Sequence, residues 1–471
     1  MVQKILTKYW LMLHITILLL ATWGTSLYLN AGWIFFSFWL SFFAVQAFLL
    51  LPSVFRGETM SMARRRSLWG AVCDPFLSIG LALTGFTCLQ WLNSGCSLIY
   101  VEDVEVWRYS SPPVSWLPFS IDPFPALAGM VLIVVIIVGG FVLRSGTGKR
   151  SNRLFLDIAS FASGCFAIYM LLLGVLGIQP FSECGASAGD SNWGAFFGFW
   201  MLVALGGHLN FIEESFAKTL SWSFFSLLGN LLGLLQFGTP AGIALFAIAT
   251  LAIFAYWTFF LVRQQTDSIM QLKLIFCVLI AIIIAGTSFG YVLTESFVMT
   301  KMEMLFDSSY YESLFNNRNF QAPLAWRIWQ DHPWIGVGTG GFLHYSQTIV
   351  GDIDWMRLNE SKGLISNDWL QFLTEYGLIG SGLLLSLVIV LLIPLFSRFR
   401  FVIQQLAKKK QEVLIDVNPY VMSGVFASIL VVLSSFLSSP LQSGAMFASL
   451  VYVLAVVPGF IPVSASNTSQ T

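Results

Sequence analysis

The sequence predicts an all-α polytopic membrane protein with about twelve transmembrane helices, and three observations lead to this fold class. Hydrophobic residues make up 56% of the 471-residue chain and charged residues only 10%, whereas an ordinary soluble domain carries roughly 25% charged residues. Apolar runs of about 20 residues, each long enough to cross a bilayer, recur along the whole chain. Lys and Arg are also divided unequally between the two sides of the predicted spans.

Apolar runs, separated by polar or Gly- and Pro-rich stretches, set the limits of the predicted spans. These are 9–29, 33–51, 69–92, 126–143, 154–177, 193–207, 219–236, 241–262, 273–293, 376–396, 419–438 and 444–462. The first run is too long for the apolar part of a signal peptide and has no small-residue cleavage site after it, so we count it as a span. The stretch GGHLNFIEESFAK, between the sixth and seventh spans, is compatible with a broken or re-entrant segment.

The basic residues predict the orientation of the chain. When Met1 is placed inside, eighteen of the 24 Lys and Arg residues fall on the cytoplasmic side and six on the other. Because Lys and Arg concentrate on the cytoplasmic side of membrane proteins, we expect both termini in the cytoplasm. The formal net charge of zero conceals this asymmetry and gives no indication of nucleic-acid binding.

The predicted spans divide the chain into three parts. Residues 1–293 hold the first nine helices, residues 294–375 form a large external loop region, and residues 376–471 hold helices ten to twelve and a cytoplasmic tail. Loops of about eighty residues without secondary structure are uncommon, so the second part is expected to contain short helices of its own. The shorter external loop 93–125 is rich in Trp, Phe and Pro, which is typical of a membrane interface.

Ionisable side chains are rare inside the predicted spans, where His14, Asp74 and Asp157 are the clear cases. Both aspartates lie near the predicted cytoplasmic ends, within reach of water. An ion-coupled transporter needs charged residues at mid-membrane depth, usually in pairs. The pattern therefore argues against a transporter and indicates that the function resides in the external loop region.

Two of the cysteines, Cys96 and Cys184, fall in predicted external loops, where thiols can be oxidised. A disulfide between them and a pair of unpaired thiols are both compatible with the sequence. The remaining cysteines lie inside predicted spans, where we expect them to fill space as small apolar side chains.

Two segments near the ninth and tenth predicted helices carry a motif. The first is RNFQAPLAWRIWQDHPWIGVGTGGF, from Arg318 to Phe342, and the second is SNDWLQFLTEYGLIG, from Ser366 to Gly380. Together, in this order and at this place in the topology, they resemble the O-antigen ligase and polymerase family of membrane glycosyltransferases. The glycines at 336–341 do not form a nucleotide-binding loop, because no strand precedes them and no Lys-Ser follows, so we expect a close-packed turn.

The resemblance implies transfer or polymerisation of a glycan from an undecaprenyl-diphosphate carrier to a glycan or lipid acceptor. The reaction would take place at the outer, periplasmic face of the bacterial inner membrane, in an inverting enzyme that uses no metal and no other cofactor. Arg318 would clamp the diphosphate, since a guanidinium fork matches phosphate oxygens and stabilises the charge on the leaving group. A salt bridge from Arg318 to Glu312 or Asp307 is the structural alternative.

The sequence departs from the family pattern at two positions. Ser366 stands where the family has a His, and Thr239 stands where it has an Arg. Because a serine hydroxyl cannot accept a proton at neutral pH without a base of its own, we expect the general base elsewhere. The candidates are Asp368 and His344, with helix capping by Asp368 and an interfacial position for His344 as the alternatives. A non-catalytic relative that binds lipid-linked glycan or partner proteins is the alternative function.

Overall fold

The computed structural model of the chain is mostly helical, and its helices pack around one large hydrophobic core. It describes residues 15–23, 74–96, 98–101, 106–146, 149–176, 191–214, 222–264, 321–346, 348–349, 365, 367–409, 418–436 and 438–461.

The labelled elements are α1 (Pro75–Leu92), β1 (Leu98–Val101), β2 (Val106–Tyr109), α2 (Pro123–Gly146), α3 (Lys149–Val175), α4 (Ser191–Glu214), α5 (Trp222–Phe237), α6 (Pro240–Gln264), α7 (Gly341–Ser346), α8 (Asp368–Lys409), α9 (Pro419–Ser434) and α10 (Gly444–Val456). Residues 15–23 and 321–331 are also helical. Short 3-10 helices follow α9 and α10, at Pro440–Gln442 and Val457–Phe460.

Each predicted span that falls within the described residues overlaps a helix, while the spans 33–51 and 273–293 lie outside them. Four described stretches are long and apolar enough to cross a membrane: Pro75–Leu92, Pro123–Arg144, Lys149–Leu173 and Asp368–Arg400. Shorter apolar stretches are Trp222–Phe237, Gly242–Thr258, Pro419–Ser434 and Gly444–Phe460. This architecture is compatible with a multi-pass helical membrane protein, and the count of twelve spans stays a prediction.

The helix α4 continues through residues 206–214 of the stretch for which the sequence allowed a break, and residues 215–218 of that stretch lie outside the described residues. Its bounds, Ser191–Glu214, include Gly206, Gly207 and His208 without interruption. Gly206 lies so close to α9 that a Cβ there would overlap Ser423. The glycine pair therefore allows close helix packing, which is the usual use of small residues between membrane helices.

The core is centred on α10, in which every residue is buried. The hydroxyl of Ser449 accepts hydrogen bonds from the indole N–H groups of Trp23 and Trp200, both at 3.2 Å. Tyr452 donates its hydroxyl to the carbonyl oxygen of Val135, on α2, at 3.1 Å. These buried polar contacts satisfy side chains that would be costly to leave unpaired in an apolar core.

Among the described residues, a two-stranded antiparallel sheet between α1 and α2 departs from the all-α prediction. The strands β1 and β2 pair with Leu98 opposite Tyr109 and Val101 opposite Val106. Both strands are rich in β-branched and aromatic residues, which favour extended backbone.

The helices give the bundle two distinct ends. At the basic end, α1 begins after Asp74 and α2 finishes near Arg144, whose Nη1 lies 3.6 Å from Asp74 Oδ1. At the motif end, α1 finishes near Asn93 and α2 begins at Pro123. Residues 321–346 and the start of α8 also lie there, since Gly340 approaches Pro125. A second, smaller core lies at the motif end, formed by Leu324, Ala325, Ile328, Val337, Phe342 and Ile365.

Candidate functional site

The two motif segments lie in direct contact at the motif end of the bundle. Residues 332–341 pack against residues 374–379, and we call this contact the clasp. Four backbone hydrogen bonds join the two sides: Val337 N–H to Thr374 O (3.0 Å), Gly338 N–H to Glu375 O (2.9 Å), Leu378 N–H to Pro333 O (2.9 Å) and Ile379 N–H to Trp334 O (3.1 Å). The motif therefore forms one structural unit, although residues 343–365 separate its halves in the sequence.

The clasp supplies hydrogen-bond partners to the backbone groups of α8 at a break in that helix. Gly377 has φ +63° and ψ −169°, which is not helical, so the backbone groups on either side of it lose their partners within the helix. The carbonyls before the break accept N–H groups from residues 337 and 338, and the amides after it donate to the carbonyls of residues 333 and 334. Non-helical backbone is tolerated near a membrane where the rest of the protein supplies its hydrogen bonds.

The glycines of the first segment are required by this geometry. Gly336, Gly338 and Gly340 have φ values of +68°, +86° and +71°, in the left-handed region that side chains disfavour. A Cβ at Gly336 would overlap the carbonyl group of Glu375, and one at Gly338 would overlap the backbone of Ser120. These contacts agree with the predicted close-packed turn.

A buried polar network lies beneath the clasp. Glu375 is 2% exposed and its Oε1 accepts a hydrogen bond from Gln371 Nε2 at 3.1 Å. Its backbone carbonyl accepts from Gln90 Nε2, on α1, at 3.1 Å. Thr339 Oγ1 contacts both Gln90 Oε1 (3.3 Å) and the hydroxyl of Tyr376 (3.2 Å). Because these groups are bonded to one another and all except Thr339 are buried, the network stabilises the clasp.

Asp368 is fully buried and faces the hairpin between α9 and α10. Its two carboxylate oxygens accept the backbone N–H groups of Leu441 (2.9 Å) and Gln442 (3.2 Å). Its own N–H donates to the carbonyl of Ser435 at 2.9 Å. The helix cap is instead supplied by Asn367, whose Oδ1 accepts the N–H of Leu370 at 3.1 Å. This geometry favours a structural role for Asp368 over the role of general base.

His344, on the short helix α7, lies beside the carboxylate that directly precedes α2. Its Nε2 is 3.9 Å from Asp122 Oδ2, and both side chains are about one-third exposed, at 35% and 39%. The other oxygen of Asp122 accepts the N–H of Phe124 at 2.9 Å, which fixes the carboxylate at the start of α2. An accessible imidazole held near an anchored carboxylate is an arrangement that general bases use. Of the candidate residues that the structure describes, His344 has the more accessible position.

His332 is packed between rings. Its imidazole lies edge-on to Phe119 (5.1 Å between ring centres) and to Tyr345 (5.7 Å). Burial lowers the pKa of His332 below its ordinary value of 6.5, and the opposing effect of the neighbouring Asp331 is smaller. Its carbonyl also accepts the N–H of Gly336 at 3.0 Å. These contacts place His332 in the turn that leads into the clasp.

Two of the predicted site residues, Arg318 and Ser366, lie outside the described residues, as does Cys184, the suggested partner of Cys96. Thr239, at the position of the family Arg, is described: its Oγ1 accepts the N–H of Gly242 at 3.1 Å and caps α6. A capping threonine is a sufficient structural reason for that residue.

Sequence reasoning missed Asp122 and Gln90 as members of this region. Neither residue belongs to the motif, and Gln90 is 285 positions away from the carbonyl that it contacts. Asp122 carries one signal in the sequence, namely an Asp followed by Pro at the start of an apolar run, which is typical of a helix cap.

No model of a known protein family matches the chain, and no curated protein matches it.

Proposed function

We propose that the chain transfers or polymerises a glycan from an undecaprenyl-diphosphate carrier at the outer face of the bacterial inner membrane. The observation that carries this proposal is the contact between the two segments that resemble the O-antigen ligase and polymerase motif. Two segments that are separate in the sequence can form one site only if they lie in contact in the fold. Here they share a backbone-bonded clasp at one end of an apolar helical bundle.

The proposed reaction is a single displacement at the anomeric carbon of the donor sugar. The acceptor hydroxyl oxygen forms the new glycosidic bond while the bond from the sugar to the diphosphate breaks. The lipid diphosphate leaves with the bonding electron pair, and the hydroxyl proton passes to the base. One displacement inverts the anomeric configuration, and the guanidinium of Arg318 stabilises the charge that develops on the diphosphate.

We assign the base in this proposal to His344 with Asp122 as the residue that orients it. Asp368 is fully buried and both of its carboxylate oxygens bind backbone N–H groups, those of Leu441 and Gln442, so it is enclosed away from an acceptor hydroxyl. Ser366 can hydrogen-bond a sugar but does not take up the proton.

The test is glycan transfer by the purified chain in proteoliposomes that contain an undecaprenyl-diphosphate-linked oligosaccharide and an acceptor. Arg318→Ala is expected to lower the rate by about 10²-fold or more, because an electrostatic contact made in the transition state is lost. Arg327→Ala is the matched control, since Arg327 lies on the neighbouring helical segment and is exposed. Equal rates for Arg318→Ala and Arg327→Ala would contradict the clamp.

The second candidate is a non-catalytic relative that binds lipid-linked glycan. The capping role of Thr239, at the position where the family has an Arg, favours this candidate, as does Ser366 at the position of the family His. Binding of the lipid-linked donor without turnover by the wild type would support it. Activity that appears only in the Thr239→Arg/Ser366→His double variant would show that the native chain has lost the reaction.

A further inference from the structure

A cavity of about 530 Å³ lies at the basic end of the bundle, far from the motif. Its polar wall consists of Arg144, Lys149, Asn152 and Arg398, which come from α2, α3 and α8. Its remaining wall is largely apolar and includes Leu391 and Leu454. Three cations and an apolar wall in one cavity are unusual in a chain with only 10% charged residues.

The charge of this cavity is not neutralised by its own lining. None of the described residues that line it is a carboxylate. The nearest acidic partner that the structure describes is Asp74, 3.6 Å from Arg144, and its other role is to cap α1 by accepting the N–H of Phe76 at 2.8 Å. The cavity also lies at the start of α3, and the amino end of a helix attracts anions.

The hydrogen-bonding capacity of the arginines is also incompletely used. Arg144 Nη1 is buried and makes no hydrogen bond to any described residue, since its distance to Asp74 exceeds hydrogen-bonding range. Arg398 donates one N–H to the carbonyl of Pro458, but a guanidinium carries five N–H donors. A buried donor without an acceptor costs free energy, so an oxygen-rich anion in the cavity would be stabilised by these groups.

We propose that this cavity binds a phosphate group, as found in the headgroup of an anionic phospholipid or in free phosphate. Planar guanidinium groups match phosphate oxygens, and Lys149 adds a point charge at the rim. Basic pockets between membrane helices bind anionic lipid headgroups, and the apolar wall provides a surface for acyl chains. This inference rests on the membrane architecture and is independent of glycan transfer.

The experiment compares two neighbouring residues at the start of α3. Lys149 lines the cavity and Arg150 does not, and both are exposed, so neither Lys149→Gln nor Arg150→Gln removes a buried contact. The purified full-length chain is placed in nanodiscs of phosphatidylcholine with or without phosphatidylglycerol, and retained lipid is counted by native mass spectrometry after release into detergent. In a parallel arm, inorganic phosphate is added to lipid-depleted protein and the unfolding temperature is measured.

The wild type is expected to retain phosphatidylglycerol in preference to phosphatidylcholine. Lys149→Gln is expected to reduce this retention about fivefold, which is the usual contribution of one basic residue to anionic lipid binding, and Arg150→Gln to leave it unchanged. If inorganic phosphate alone raises the unfolding temperature, and does so less in Lys149→Gln, the site takes free phosphate. The proposal is overturned if neither phosphatidylglycerol nor phosphate binds, or if both variants lose binding equally.

Discussion

The clasp and the His344–Asp122 pair lie at the same end of the molecule but are built in opposite ways. The clasp joins backbone to backbone and depends on glycines at positive φ, of which Gly336 and Gly338 are buried. The His344–Asp122 pair joins side chain to side chain, at 3.9 Å, with both groups partly exposed. The comparison teaches that the glycines of the motif hold the backbone in shape, whereas this accessible pair of polar side chains comes from residues beside the motif.

The largest expected effect on stability is that of Gly338→Ala, within the clasp. The substitution forces a side chain into φ +86° and against the backbone of Phe119 and Ser120. We expect a loss of about 3 kcal/mol or more in the free energy of unfolding. The measurement is the thermal unfolding of purified protein in detergent.

The matched control for that substitution is Gly382→Ala, at a helical glycine of α8 with open space around it. Because Ala favours a helix over Gly, the control should gain up to about 1 kcal/mol. If Gly338→Ala were as stable as Gly382→Ala, the turn would tolerate a side chain at residue 338, and the clasp would not depend on its glycines.

The next effect is that of Asp368→Ala, which removes the acceptor of two buried backbone N–H groups, those of Leu441 and Gln442. We expect a loss of about 1–3 kcal/mol, because the N–H of Leu441 remains buried without a partner, whereas that of Gln442 keeps a longer bond to the carbonyl of Ser439 at 3.3 Å. Asp368→Asn keeps one carbonyl oxygen and should lose less. If Asp368→Ala has the same unfolding temperature as the wild type but abolishes glycan transfer, Asp368 is the better candidate for the general base.

A smaller effect is expected from the titration of His332. Burial lowers the pKa of His332 in the folded state below 6.5. As the pH falls, the unfolded chain therefore takes up a proton on this residue at a higher pH than the folded chain does. Stability conferred by the neutral ring is therefore present above the ordinary pKa and is lost as the pH drops below it. His332→Gln should show a smaller loss of unfolding temperature between about pH 7 and pH 5 than the wild type.

A second variant, His332→Phe, separates charge from shape at this position. It keeps a ring against Phe119 and Tyr345 and cannot titrate. An unchanged pH dependence in both variants would locate the titration at another group.

The smallest effect on stability is expected for His344→Gln, since the side chain is partly exposed and its one ion-pair contact is long. The free energy of unfolding should change by less than about 0.5 kcal/mol, while the transfer rate should fall by about 10²–10⁴-fold if His344 is the base. Asp122→Asn keeps the cap on α2 and should reduce the rate less. A wild-type rate in His344→Gln would exclude it as the base.

The helical architecture could be predicted from the sequence because long apolar runs are typical of membrane helices. The predicted start of the tenth helix at residue 376 coincides with the break at Gly377, but a polar helical segment that begins at Asp368 precedes the break and is not predicted. This segment is helical because Asn367 caps it and because the polar side chains Asp368, Gln371 and Glu375 have partners within the protein. Such partners cannot be seen in a hydropathy pattern.

The clasp could be predicted only in part. The glycine-rich turn was expected to be close-packed, and the geometry agrees, but the break at Gly377 was not anticipated. A Gly inside an apolar run is common in membrane helices, so the sequence alone does not distinguish a break from a packing contact. The pairing of His344 with Asp122 is not predicted for a related reason, since the two residues lie far apart in the sequence and meet only through the fold.

The break at Gly377 has a mechanical consequence. The first amides of the long apolar segment that follows it are bonded to Pro333 and Trp334, so a stretch of chain some forty residues upstream serves as the missing first turn of that helix. These bonds couple the two pieces, so we expect a displacement of the upstream stretch to tilt the helix that follows the break.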